Sequence, residues 1–139
     1  MTNTVSKSDI AQIFYDVLHN FIWTADPEVT VTYNGKEITF KDKWIRMVPD
    51  MNGVLRGDCE DFCLYCSNML AVFTGLDIKK RKLTYCVTES GEGHMILEAD
   101  GWVLDNRQRR LTTIRKLKRD GYRDFAQPVG PITGRWEYL

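Results

Sequence analysis

The run HMILEADGWVLDN, residues 94 to 106, constrains this chain more than any other stretch. Two apolar, β-favouring segments flank Asp100-Gly101, a dipeptide suited to a type I′ turn, where both central residues take positive φ. A two-residue turn dictates register: Ala99 opposes Trp102, and counting back sets Ile96 opposite Asp105. His94 lies two residues before Ile96, so it shares a face with Asp105 as its diagonal neighbour, within side-chain reach. A slip of one residue would put the two on opposite faces. KLTYCV (82 to 87) has the same character and reads as a further strand, so an antiparallel sheet is expected.

Upstream, RGDCEDFCLYCSNML (56 to 70) places three of the four cysteines within eight positions. The segment reads as a helix with Asp58 as N-cap, Asp61 at the capping-box position, and Gly75 as the terminating residue. Phe62, Cys66, Met69, Leu70 and Phe73 form its expected buried face. An earlier helix carries Ile10, Ile13, Phe14, Val17, Leu18 and Phe21 at helical spacing, with Ser8 as its expected N-cap. VTVTYNGKEITF alternates around Asn34-Gly35 and predicts a hairpin, and KDKWIRMVPDMNGVLRG reads as loop. The region 112 to 120 is expected as helix or loop, and RWEYL as a terminal strand.

Thiols gathered in this way could ligate a metal or cluster, form disulfides, supply one nucleophile beside packing residues, or simply pack. With 139 residues, 43% of them hydrophobic, the chain can bury one core as a single domain over 1–139 without disulfides. The polar start MTNTVSKSDI, and the absence of any apolar run near the roughly 18 residues of a membrane span, predict a cytoplasmic chain. In a reducing compartment paired cysteines are disfavoured. The spacing Cys59-x3-Cys63-x2-Cys66 resembles the cluster loop of radical S-adenosylmethionine enzymes, but that loop belongs to a large partial barrel, whereas this segment patterns as helix in a short chain. Zinc would need a fourth ligand and paired CxxC spacing. Cys63, Cys66 and Cys86 sit on apolar periods and read as packing residues.

Cys59 differs, because it falls at a helix start, where free N–H groups and the positive end of the helix dipole favour a reactive thiol. Such a nucleophile needs a base and a group to orient it. His19 lies within the first helix with no motif around it; His94 follows the ESGEG loop and opens a strand beside Asp105. Cys59, His94 and Asp105 therefore make one coherent site. The basic stretches 78–83 and 107–120 read as a solvated face, since no nucleic-acid motif accompanies them and the net charge is zero. They remain the basis of a non-catalytic alternative.

Taken together, GDCEDF, GEGHMILE and GWVLDN resemble the bacterial transglutaminase-like cysteine peptidases. That resemblance implies Cys59 as nucleophile, His94 as general base and Asp105 as the orienting acid. It implies an α+β, papain-like/transglutaminase-like fold with N-terminal helices packed on an antiparallel β-sheet, and makes GYRDF and RWEYL C-terminal strands. Some members bind calcium beside the nucleophile, and the matching acidic residues here are Asp58 and Glu60; no cofactor is required, and calcium is optional. The backbone N–H of Cys59 would donate to an oxyanion, with Trp44 as a second donor. The expected activity is cleavage of a peptide or side-chain amide through a thioester. Transglutaminase or deamidase chemistry on protein glutamine, and a binding module built on the basic segments, are the alternatives. The expected partner is a protein or peptide substrate, without membrane or nucleic acid and with oligomeric state open. The setting is cytoplasmic, with a virus-encoded protein acting inside a bacterial host left open.

Overall fold

The computed structural model describes residues 5–24, 28–41, 49–128 and 136–139. In chain order the elements are α1 (Lys7–His19), β1 (Phe21–Trp23), β2 (Glu28–Tyr33), β3 (Lys36–Lys41), β4 (Leu55–Gly57) and α2 (Cys59–Thr74). A single 3-10 turn then leads to β5 (Arg81–Val87), β6 (Gly93–Ala99), β7 (Trp102–Leu104), α3 (Ile114–Arg119), β8 (Arg123–Pro128) and β9 (Trp136–Tyr138). The arrangement is α+β. Its main sheet is antiparallel throughout, in the order β7-β6-β5-β8-β9.

Side chains alternate across that sheet and build two apolar layers. Leu97, Ala99 and Leu104 join Ile10, Phe14 and Val17 of α1 and Phe62, Cys63, Cys66 and Leu70 of α2. On the other face Cys86, Ile96 and Val103 pack with Leu117 of α3 and with Tyr122 and Phe125. Arg81 ties the start of β5 to α2, donating to Ser67 Oγ at 2.8 Å and to the Ser67 carbonyl at 3.0 Å. The ammonium of Lys7 lies 4.1 Å from the Trp102 ring centroid, docking α1 on the sheet edge. No helix among the described residues is long and apolar enough to cross a membrane.

Both expected hairpins form. Tyr33 pairs with Lys36 around Asn34 (φ 50°) and Gly35 (φ 74°), and Ala99 pairs with Trp102 around Asp100 (φ 49°) and Gly101 (φ 88°). Three expectations need correction. Ser6, not Ser8, caps α1: its hydroxyl accepts the Asp9 N–H at 3.1 Å while the Asp9 carboxylate accepts the Ser6 N–H at 3.3 Å. The reciprocal bond selects Ser6, three residues before an acid. Phe73 is 73% exposed, because the buried stripe of α2 runs through Phe62, Cys63, Cys66 and Leu70. Finally, β1 and β4 pair in parallel, Phe21 with Leu55 and Trp23 with Gly57, where the sequence had suggested helix end and loop. Two strands of three residues carry too little alternation to register as strands, yet their pairing places the end of α1 beside the start of α2.

Candidate active site

The first turn of α2 is built by a reciprocal cap. Asp58 accepts the Asp61 N–H at 3.0 Å, and the Asp61 carboxylate returns to accept the Asp58 N–H at 3.0 Å. Gly57 makes room for this: a Cβ there would stand 2.6 Å from Asp61 Cβ and 2.8 Å from its Oδ2. The stretch Gly-Asp-Cys-Glu-Asp is therefore a helix-starting device that presents Cys59 on the first turn. Gly57→Ala should push Asp61 out of the cap, costing about 1–2 kcal/mol. Thermal melts together with the rate of Cys59 alkylation check this: the melting point should drop and the alkylation should slow.

The opposing wall comes from the open end of the β6–β7 hairpin, away from its Asp100-Gly101 turn. The pairs Ala99–Trp102, Glu98–Val103 and Leu97–Leu104 give the register that the Asp-Gly turn predicts. His94 Nε2 and Asp105 Oδ1 meet at 2.6 Å, with His94 6% exposed and Asp105 fully buried. Gly93 precedes the histidine because the phenol of Tyr85 occupies the place of its missing Cβ. Nε2 faces the acid, so Nδ1 is the nitrogen available to a thiol.

The start of α2 comes to this ring. Cys63 Sγ donates to the Met95 carbonyl at 3.5 Å, and Cys59, one turn nearer the helix start, acts directly on His94. Burial is the largest single influence on the imidazole and draws its pKa down. Hydrogen bonds to Asp105 and Cys59, with their charges, outweigh burial together and bring it from 6.5 up to about 9. These contacts therefore favour the imidazolium form of the ring. The other thiols behave differently: burial drives Cys63 and Cys66 far above the ordinary thiol range and pushes Cys86, directly across the ladder from His94, up to about 12. Cys59 is half-buried while those three are buried.

Several site residues were not foreseen. Asp105 Oδ1 also accepts the Arg107 N–H at 2.9 Å, and its Oδ2 accepts the Tyr122 hydroxyl at 2.9 Å. Arg107 in turn donates to the Tyr122 oxygen at 2.9 Å and forms a two-pronged ion pair with Glu89 at 3.0 and 2.5 Å. A carboxylate removed from water requires such donors. The only sequence signal was the Tyr of GYRDF, which carries no mark of its partner.

Of the remaining candidates, Trp44 lies outside the described residues. His19 is exposed in the last turn of α1. Asp58 is committed to the helix cap and Glu60 follows on the first turn. Among the described residues no group of three or more His, Cys, Asp or Glu side chains is arranged to hold a metal ion. Two carboxylates, one of them used in a cap, fall short of the several oxygens that calcium takes. A groove of about 850 Å³ runs between α1 and α2, lined in part by Ile13, Val17, Leu55, Met69 and Phe73. It includes none of Cys59, His94 or Asp105, so volume and chemistry lie apart. Comparisons with models of protein families, with curated proteins and with solved structures each found no match for this chain.

Proposed function

We propose that this protein is a cysteine-dependent acyl-transfer enzyme, a peptidase-like hydrolase of the transglutaminase-like kind with a papain-like arrangement of helix and sheet. The observation that carries the reading is the convergence of a helix-start thiol on a buried imidazole whose far nitrogen is held 2.6 Å from a buried carboxylate. Each part has a function in one reaction. Cys59 attacks an amide carbonyl as the thiolate, forming the carbon–sulfur bond, and the proton on His94 Nδ1 passes to the departing amine. Water, deprotonated by the now neutral imidazole, then cleaves the thioester and releases the acid. Asp105 keeps the ring oriented and its cation stabilised throughout. The N–H of Cys59 is the natural donor to the oxyanion, since the cap takes the N–H groups of Asp61 and Phe62. This mechanism has no calcium step. An amine acceptor in place of water would give cross-linking, and a glutamine side chain as donor would give deamidation.

Iodoacetamide labelling with peptide mapping tests the site. At neutral pH Cys59 should be alkylated at least ~10²-fold faster than Cys63, Cys66 or Cys86, whose burial opposes ionisation. First labelling at Cys63 or Cys66 in the folded protein would sink the assignment. Mass spectrometry of a protein lysate incubated with the enzyme separates the outcomes, because new termini, deamidation shifts and cross-links differ in mass.

A further inference from the structure

We propose that Tyr122, fixed by Arg107 and Glu89, is the positioning residue that holds Asp105 on His94. This inference rests on the acyl-transfer reading and extends it to a side chain that touches neither the nucleophile nor a substrate. The geometry is a chain of contacts. Glu89 grips Arg107 with both oxygens, Arg107 donates to the Tyr122 oxygen at 2.9 Å, and the Tyr122 hydroxyl donates to Asp105 Oδ2 at 2.9 Å. Gln108 adds a longer bond to the same phenol oxygen at 3.3 Å, and the guanidinium lies 5.4 Å from the Tyr122 ring centroid. With the phenol oxygen accepting from Arg107, its single proton is directed at the carboxylate.

The backbone is shaped for this contact. Between Val87–Arg123 and Tyr85–Ala126 the register of β5 against β8 shifts, and Asp124 takes φ 56°, so β8 carries an extra residue beside Cys86, whose partner across the next ladder is His94. Bulges of this kind re-aim nearby side chains. Before it, Gly121 adopts φ 100°, and a Cβ there would sit 3.0 Å from Glu89 Cβ. A side chain at 121 would therefore press on the residue that anchors Arg107. Three loops that are distant in sequence, those at 88–92, 105–111 and 120–122, are locked together at the carboxylate. The lock also persists across the working pH range: the guanidinium of Arg107 holds the Glu89 carboxyl down to about 2, and burial followed by the Asp105 charge raises the Tyr122 phenol well above its ordinary value, keeping it a donor.

Among the described residues the ionisable groups around the histidine, besides Tyr122 itself, are Asp105 beyond β7, Cys59 from α2, Cys86 from β5, and Glu89 and Arg107 at the rim, with Cys63 near Asp105. Tyr122→Phe removes one hydroxyl and leaves every one of these charges in place. Oδ2 then lacks its donor inside a buried site, only the Oδ1 contacts to His94 and the Arg107 N–H remain, and the carboxylate can turn about them so that its alignment with the imidazolium weakens. The test follows His94 by NMR titration of the ring in wild type and in Tyr122→Phe. The His94 midpoint is expected to fall by one unit or more, and alkylation of Cys59 at neutral pH to slow about tenfold. A purely structural tyrosine would lower the melting point without moving the midpoint, so an unchanged or raised midpoint in a folded variant overturns the proposal. A second measurement needs no variant: the Tyr122 hydroxyl proton of wild type should give a resolved, slowly exchanging resonance, and its absence also counts against the contact. Slow labelling of Cys59 in wild type would instead indict the acyl-transfer reading, so the two failures are distinguishable.

Discussion

Cys59→Ala is expected to abolish thioester formation and turnover, a loss on the order of 10⁶-fold of the kind seen when a nucleophile is removed from a cysteine or serine triad. No neighbouring thiol can take over. Cys63 is one helical turn away, but it is fully buried, spends its proton on the Met95 carbonyl, and is held in the thiol form by burial. Cys66 is a further turn into the core and Cys86 faces the sheet interior, with burial raising both. The fold should survive, because Cys59 is half-buried on a first turn whose cap is made by Asp58 and Asp61. Turnover of whichever substrate the lysate experiment yields, measured beside a thermal melt, checks both halves. Retained activity in folded Cys59→Ala, or its loss in Cys63→Ala alone, would refute the assignment of the nucleophile.

His94→Ala should be almost as severe, with activity reduced at least ~10³-fold, since in the proposed mechanism both activation of the thiol and protonation of the leaving amine pass through this ring. The variant also strips the buried Asp105 of its cationic partner. Some destabilisation is therefore expected, and the melt must be read with the kinetics. A second readout comes from pH. The folded-state pKa of about 9 stands above the ordinary 6.5, so the stabilisation from this group is complete below about 6.5 and is lost as pH rises through 9. Wild type should accordingly lose melting temperature between pH 6.5 and 9.5, and His94→Ala should lack that decline. A wild-type profile flat over the same window would show that the Asp105 and Cys59 contacts do not sustain the imidazolium.

The candidate site was legible to an unusual degree for a chain read by itself, and for a local reason. Asp100-Gly101 is a turn whose backbone demands are met by so few dipeptides that it determines the register, and the register brings Asp105 to His94. Likewise Gly57, Asp58 and Asp61 specify a helix start through contacts spanning no more than four residues, and that start positions Cys59. Where the reading erred, the competing features were also local but weaker. Ser8 and Ser6 are both plausible caps until the reciprocal bond to Asp9 is drawn, and Phe73 continues an apolar period past Leu70, the last buried residue of α2. The three-residue strands β1 and β4 owe their existence to each other, across more than thirty intervening residues.

The sequence by itself determined the first two helices, the two hairpins, the packing role of Cys63, Cys66 and Cys86 and the pairing of His94 with Asp105, because turn chemistry, capping and periodicity act over a few residues and leave their signature in composition. Tertiary structure decided how Cys59 comes to His94, which of the two apolar layers each packing cysteine enters, and that Tyr122, Arg107 and Glu89 converge on Asp105. The side-chain contacts of Tyr122 and Glu89 join segments fifteen or more residues apart, through side chains whose types are common everywhere on protein surfaces. Nothing in a tyrosine or an arginine names its partner; the bulge in β8 and the missing side chain of Gly121 do so only once the sheet has folded.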